Sequence, residues 1–284
     1  MTDAPDLRLG LIGDNIRKSR APLLHQLVGA QNGMRVQYDL LVPAEQGQSF
    51  DPLFAGCAGR GYHGINVTYP YKERAAMRVE IDDPMVAAIG AVNTVLFDGA
   101  RPRGFNTDYS GFIEAYRLVR GDAGPGVCCL IGTGGVGRAL AFGLVTLGAE
   151  EIRLTDRDGA KAEALARDLA AAGHPRVVVA PDAETGARGA QGLLNGTPVG
   201  MVGYGGTPLE AAAMTGAEWA FDAVYTPVDT PFLGDAARAG LQVISGYELF
   251  FYQGVHAWAR FSGGKPLDEM NLRAALRAHE EEAT

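Results

Sequence analysis

The chain has 284 residues, room for two modest domains, and with 47% hydrophobic residues it can bury a full core. A formal net charge of −8 argues against nucleic acid and against an anionic membrane surface, leaving small molecules as the expected partners. No segment approaches the roughly 20 apolar residues of a membrane span, and the opening MTDAPDLRLG has no apolar run of signal-peptide type, so a soluble cytoplasmic protein is expected.

In chain order, LRLGLIG (7–13) reads as a buried strand, and APLLHQLVGAQNG follows with the helical spacing of Leu23, Leu24, Leu27 and Val28. MRVQYDLLV is a second strand and GINVT a third, stopped by Pro70. AIGAVNTVLFDG (88–99) reads as a fourth, turning back at Asp98-Gly99, a hairpin signal. YSGFIEAYRLV is a helix leading into a second strand–helix series: VCCLI, EIRLTD, RVVVA, QGLLNGT, WAFDAVY and LQVIS, with alanine-rich helices such as AKAEALARDLAAAG between them. From Gly246 the chain is helical again. The fold class is α/β. The expected division is a first α/β domain over 1–109, a doubly wound second domain over 110–246, and a C-terminal segment, 247–284, returning to the first. The three cysteines, Cys57, Cys128 and Cys129, form neither a disulfide framework nor a zinc spacing, which fits a reducing compartment.

The stretch Cys129–Leu140, CLIGTGGVGRAL, carries the clearest chemistry. Gly132, Thr133, Gly134, Gly135, Val136 and Gly137 match G-x-G-x-x-G after a strand and at the start of a helix. The first glycine permits the tight turn, the second lets backbone approach a pyrophosphate, and the third lets the helix sit close on the strand. The helix N-terminus then offers N–H groups to the anion. At the end of the next strand Asp156 stands where a ribose-binding carboxylate belongs. A carboxylate accepts from the ribose 2′-OH of NAD and repels the 2′-phosphate of NADP, so NAD is the expected cofactor. Arg157, able to stack on adenine or meet a phosphate, keeps NADP as the alternative.

The first domain holds polar residues in apolar surroundings: Asn66, Thr68 and Lys72 in NVTYPYK, Asn93 and Thr94 in AVNTV, and Asn106, Thr107 and Asp108 in GFNTDYSGF. Singly, each has an ordinary reading. Lys72 is then a solvated surface residue, and Asp108 caps the helix starting near Tyr109. Together they suit a polyhydroxylated ligand. In the order Ser19-x-x-Pro22, NVTYPYK, GAVNTV, FNTDYSGF, GTGGVG, NGTPVGM, FDAVYTPVDTPFL and YQGVHAW, the chain resembles the shikimate/quinate dehydrogenase family over nearly its whole length.

That resemblance implies an N-terminal substrate domain, a Rossmann cofactor domain and reversible oxidation of a ring hydroxyl by a nicotinamide cofactor, on a cyclic hydroxy acid. It assigns Lys72 and Asp108 as the catalytic pair, Lys72 exchanging the hydroxyl proton and Asp108 orienting it and binding the substrate. Ser19, Thr68, Asn93, Tyr225 and Gln253 become substrate contacts, and Thr197 of NGTPVGM joins the cofactor residues. Asn66 is read as support for its strand. The family commonly carries a second hydroxyl in S-x-S-P or S-x-T-P, where this chain has Ala21. Loss of one hydrogen bond to a carboxylate is worth roughly 1.5–3 kcal/mol, which leaves shikimate, quinate and an altered ring acid such as an amino analogue open. Tyr247 and Tyr252 are candidate replacement donors, with helix packing as their ordinary role. The histidines, His25, His63, His174, His256 and His279, make no metal-binding spacing, and no metal is expected. Two competing readings are a methylene-tetrahydrofolate dehydrogenase, which the NTD and GAVNT motifs oppose, and a non-catalytic ligand or nucleotide sensor. A monomer or a homodimer is expected.

Overall fold

A computed structural model describes residues 4–173 and 176–282, so His174 lies outside the described residues. The chain divides into two compact units. One holds the described residues up to Thr107 with those from Gly254 onward, and the other is Asp108–Gln253.

The first unit opens with β1 (Leu7–Ile12), α1 (Ala21–Gln31), β2 (Val36–Leu41), α2 (Phe50–Gly59), β3 (Gly64–Val67), α3 (Lys72–Ala76), α4 (Pro84–Ile89), β4 (Thr94–Leu96) and β5 (Arg103–Phe105). Its five-stranded sheet runs β2-β1-β3-β4-β5. β1 is parallel to β2 and β3, while β4 is antiparallel to both β3 and β5. Ile12, Ile65, Val67 and Val95 from the sheet pack with Phe50, Leu53, Phe54 and Cys57 of α2 in one apolar cluster.

The fourth strand is shorter than the 88–99 expected from the sequence, spanning only Thr94–Leu96. Residues 88 and 89 close α4 instead of opening β4. The Asp83 side chain caps α4 by accepting from Met85 N, and Gly90 ends it in the left-handed conformation at φ 66°. The run from Val86 to Leu96 is thus the end of one helix and one short strand, which hydropathy alone does not separate. The chain does turn back at Asp98-Gly99, pairing Thr94 with Phe105 and Leu96 with Arg103. The helix expected from Tyr109, α5 (Thr107–Arg120), starts earlier, so Asp108 lies within its first turn and does not cap it.

The second unit continues with β6 (Val127–Ile131), α6 (Gly135–Thr146), β7 (Glu151–Thr155), α7 (Gly159–Ala171), β8 (Val177–Val179), α8 (Ala183–Ala187), β9 (Gly192–Asn195), β10 (Trp219–Asp222), α9 (Pro231–Arg238) and β11 (Gln242–Ile244). Its six strands run β11-β10-β9-β6-β7-β8, and all pairs are parallel. Counted from its own first strand, the order is 3-2-1-4-5-6, the doubly wound dinucleotide-binding topology. The near-continuous apolar strands LLN, WAF and CCLI are what a parallel sheet covered on both faces requires. Burial pushes the Cys129 thiol up to about 12, and Cys57 of the other unit to about 11, so neither is a thiolate at neutral pH.

Two helices close the chain, α10 (Gly246–Phe261) and α11 (Glu269–Glu282). Tyr247 and Tyr252 are both buried in α10. Among the described residues no helix is long and apolar enough to cross a membrane.

Candidate active site

The strand directions of the first unit gather its polar residues. Register pairs Ile12 with Val67, Asn66 with Thr94, and Thr94 with Phe105. The carboxyl ends of β1, β3 and β5 therefore meet the amino end of β4 at one end of the sheet. The residues just past those ends are the loop carrying Ser19, then Thr68, Asn93 and Thr107. Thr68 N donates to Ile12 O at 2.9 Å, and Lys72 O accepts from Val92 N at 2.9 Å, which sets the start of α3 beside Asn93. Lys72 is 8% exposed and Asn93 3%, so the lysine is not the solvated surface residue its position after a strand would suggest. Ser19 is half-buried, and its Oγ accepts from Ala21 N at 3.3 Å.

Asn93 is oriented by its neighbours. Its Oδ1 accepts from Thr107 N at 2.7 Å, from Thr107 Oγ1 at 3.1 Å and from Thr94 Oγ1 at 3.1 Å. Donors around the carbonyl oxygen fix which end of the amide is nitrogen. Asn66 stands behind it, donating from Nδ2 to Asn93 O at 3.2 Å and to Thr94 Oγ1 at 3.0 Å. The Asn66 Oδ1 accepts from Tyr38 Oη at 2.8 Å and faces His25 Nε2 at 3.3 Å. His25 stacks on Tyr38 with ring centroids 5.1 Å apart, and burial lowers its pKa to about 4, against which the Asn66 bond works. The absence of a metal-binding spacing around His25 gives no hint of this structural role. A signal for it existed: Ala21, Leu24, His25 and Val28 share the i, i+3, i+4, i+7 face that α1 buries.

In the second unit the glycine loop sits between β6 and β9, adjacent strands whose connections leave to opposite sides of the sheet. That is the topological switch point where doubly wound sheets bind ligands. Gly132 has φ 93°, and a Cβ there would lie 2.5 Å from Thr197 Cγ2 and 2.9 Å from the Gly196 carbonyl carbon. A Cβ on Gly137 would lie 2.0 Å from Gly132 O, so the start of α6 can approach the strand end only as glycine. A Cβ on Gly134 would meet nothing within 4 Å. Two glycines therefore serve the protein's own packing, and the third faces open space. Gly134 caps α6 without a side-chain bond, leaving the amides of Gly135, Val136 and Gly137 in a first turn that has no intrahelical acceptors. This cradle fits a dinucleotide pyrophosphate.

Asp156 Oδ2 accepts from Thr133 N at 2.7 Å and Thr133 Oγ1 at 2.8 Å, and its Oδ1 from Asp158 N at 3.0 Å. Partial burial pushes its pKa up, but the Asp158 and Thr133 donors outweigh it and leave the carboxyl below its usual range, hence ionised at neutral pH. Arg157 beside it is exposed. Thr197 is held by Asn195, whose Oδ1 accepts from Thr197 N at 2.9 Å and Thr197 Oγ1 at 2.6 Å. Asp108 is buried in the first turn of α5. Tyr225 stacks on Phe250 with centroids 5.0 Å apart, and Gln253 Nε2 donates to Phe250 O at 3.1 Å. Among the described residues no group of three or more His, Cys, Asp or Glu is placed to hold a metal ion.

A doubly wound sheet with a glycine cradle at its switch point, joined in one chain to a second α/β unit with a buried lysine and amide cluster, defines a nicotinamide-dependent oxidoreductase. A family profile described as the shikimate dehydrogenase substrate binding domain matches residues 11–95, and one described as NADP oxidoreductase coenzyme F420-dependent matches 127–195. The chain is 35% identical to a quinate/shikimate dehydrogenase (NAD(+)) of Corynebacterium efficiens, covering 94% of this chain and 96% of that one. It is 35% identical to a shikimate dehydrogenase (NADP(+)) of Moorella thermoacetica, covering 95% and 94%. Quinate dehydrogenase from Corynebacterium glutamicum in complex with NAD superposes with a TM-score of 0.88 at 31% identity, over 96% of this chain and 99% of that one. Shikimate 5-dehydrogenase from Thermus thermophilus in complex with NADP(H) and shikimate gives 0.83 at 33% identity, over 96% and 99%. The chain belongs to the shikimate/quinate dehydrogenase family.

Proposed function

We propose that the protein reversibly oxidises a ring hydroxyl of a shikimate- or quinate-type acid with NAD as its preferred cofactor. The observation that carries the reading is the oriented Asn93. Its oxygen is taken up by Thr107 and Thr94, so its amide nitrogen is the end left for a ligand hydroxyl. Thr68, Ser19, Tyr225 and Gln253 bind the remaining polar groups of the acid. Lys72 takes the proton from the reacting hydroxyl in oxidation and returns it to the ketone oxygen in reduction. Asp108 accepts from the substrate hydroxyl and holds it in place. Gly132–Gly137, Asp156 and Thr197 would hold the nicotinamide cofactor, which would supply a hydride acceptor for the carbon bearing that hydroxyl and a hydride donor in the reverse direction.

The cofactor preference follows from Asp156. An ionised carboxylate at the end of β7 offers its remaining lone pairs to a 2′-OH and opposes a 2′-phosphate. The relatives named for NAD and for NADP supply precedent for both cofactors. Ala21 favours a second reading at the level of substrate: the missing hydroxyl would weaken the grip on a carboxylate and admit an altered ring acid. A cytoplasmic monomer or homodimer is the proposed form. Initial rates in a grid of shikimate or quinate with NAD or NADP test all of this. Turnover strongest with NAD is expected. Turnover strongest with NADP would remove the Asp156 argument, and silence with both acids would remove the substrate assignment.

A further inference from the structure

We propose that Asp222 is a positioning residue for the cofactor turn Thr197–Val199, acting through the side-chain amide of Asn195. The inference rests on reading Gly132–Gly137 and Thr197 as the dinucleotide site, and adds a residue to which no cofactor contact is assigned.

Asn195 ends β9, paired in register with Ile131, the residue before Gly132, on one side and with Asp222 on the other. It is completely buried, as is Asp222. From that place Asn195 pins the turn at both ends. Its Oδ1 accepts from Thr197 N and Thr197 Oγ1, and its Nδ2 donates to Val199 O at 3.1 Å. Thr197 Oγ1 in turn accepts from Val199 N at 3.1 Å. The same Thr197 lies against the Gly132 position, so its placement bears directly on the cradle.

An asparagine amide could face either way round, and the two ends differ only in what they bond. Thr197 N and Val199 O favour one of them from within the turn, and Asp222 is the reference that lies outside it. Its Oδ1 accepts from Asn195 Nδ2 at 2.9 Å and from Val224 N at 2.9 Å, and its Oδ2 accepts from Thr230 Oγ1 at 2.6 Å. A flipped Asn195 would turn its oxygen toward the acceptor Oδ1 and its NH2 toward the Thr197 N–H, leaving buried groups unpaired at both ends, a cost the interior does not offset. Asparagine at position 222 would keep an oxygen at the Oδ1 place and present NH2 to Thr230 Oγ1. Alanine would leave the Asn195 amide bonded only to the turn that it positions, with no anchor outside it.

The test measures dissociation constants for NAD by calorimetric titration of the substrate-free protein, together with KM for NAD and for the ring acid. The variants are Asp222→Ala, Asp222→Asn, Asn195→Ala and the double Asp222→Ala/Asn195→Ala, with Gly134→Ala as a control on the cradle. Each alanine single is expected to raise the NAD dissociation constant roughly tenfold or more. The double is expected to match the worse single within about twofold, since the two residues act in one chain. Asp222→Asn is expected to stay within about threefold of the parent, and the ring-acid KM to move less than NAD affinity does. If Asp222→Ala does not fold, Asp222→Leu, which keeps the side-chain bulk and removes both acceptor oxygens, takes its place in every comparison. NAD affinity unchanged in Asn195→Ala, losses that multiply in the double, or Asp222→Asn as weak as Asp222→Ala would each overturn the inference. If Gly134→Ala also leaves affinity untouched, the cradle reading falls with it. If only Gly134→Ala weakens binding, the cradle stands and the role of Asp222 alone is lost.

Discussion

Gly134 and Gly137 are three residues apart in one motif, yet the structure gives them opposite reasons for being glycine. At Gly137 a methyl would sit 2.0 Å from the main-chain oxygen of Gly132. The obstacle is backbone, so no rotamer change relieves it, and the start of α6 must move out by about 1 Å even to reach a tight contact. Overpacking of that kind costs roughly 1–3 kcal/mol, a fall in Tm of several degrees for a chain of this size. At Gly134 the methyl meets nothing within 4 Å. Its φ of −71° suits alanine. Reduced chain entropy in the unfolded state would gain some tenths of a kcal/mol, and the poorer N-cap loses a similar amount. Gly134→Ala should therefore leave the Tm of the ligand-free protein within about 2 °C, while raising the NAD dissociation constant roughly tenfold or more by standing where a phosphate meets the backbone. Gly137→Ala should lower both Tm and affinity. Calorimetric melting without ligand and titration with NAD separate the two effects. A large stability loss in Gly134→Ala, or wild-type NAD affinity in it, would show that the second glycine does not face the pyrophosphate.

Lys72→Met should lower kcat on the order of 100-fold to 10,000-fold in steady-state assays, with NAD affinity unchanged; retention of most of kcat would remove the lysine from proton transfer. Asp156→Ala should move the ratio of kcat/KM for NADP over NAD upward by about tenfold or more, and a fixed ratio would leave cofactor choice to other residues. Ala21→Ser restores the second hydroxyl and should lower KM for shikimate or quinate by roughly tenfold; no change would mean that the carboxylate is gripped elsewhere.

The fold was largely legible because parallel strands announce themselves as apolar runs, and every strand of the second unit coincides with one read from the sequence. The first unit was less so. α2 does carry a periodic face, Phe50, Leu53, Phe54 and Cys57 at i, i+3, i+4 and i+7, a legible signal for a helix absent from the expected elements. The short α3 and α4 and the three-residue β5 carry too few residues for such a signal, and the caps that define α4, Asp83 and Gly90, look like ordinary loop residues until the helix is seen. At the site, residue types were readable and orientations were not. Nothing in NVTYPYK says that Asn66 reaches Tyr38 and His25, since those partners come from β2 and α1 and meet only through the sheet order. The same holds for Asp222, whose partner Asn195 is set by strand register across 27 residues.

These two buried networks also oppose each other in pH. Burial raises the Asp222 pKa from 3.8 to about 6, against its three donors. A pKa raised by folding contributes stability below pH 4 that is lost as pH rises toward 6. Burial lowers His25 from 6.5 to about 4. That stability is present above pH 6.5 and is lost as pH falls toward 4. Each shift corresponds to roughly 3 kcal/mol, so between pH 4 and 6 the two slopes nearly cancel in the parent protein. Asp222→Asn removes one of them. Urea unfolding of that variant should show stability falling with acidification through this window, relative to the parent, by about 1 kcal/mol or more per pH unit at the steepest point. If the parent and Asp222→Asn curves run parallel from pH 4 to 7, Asp222 is not the buried, proton-binding carboxyl that its surroundings make it.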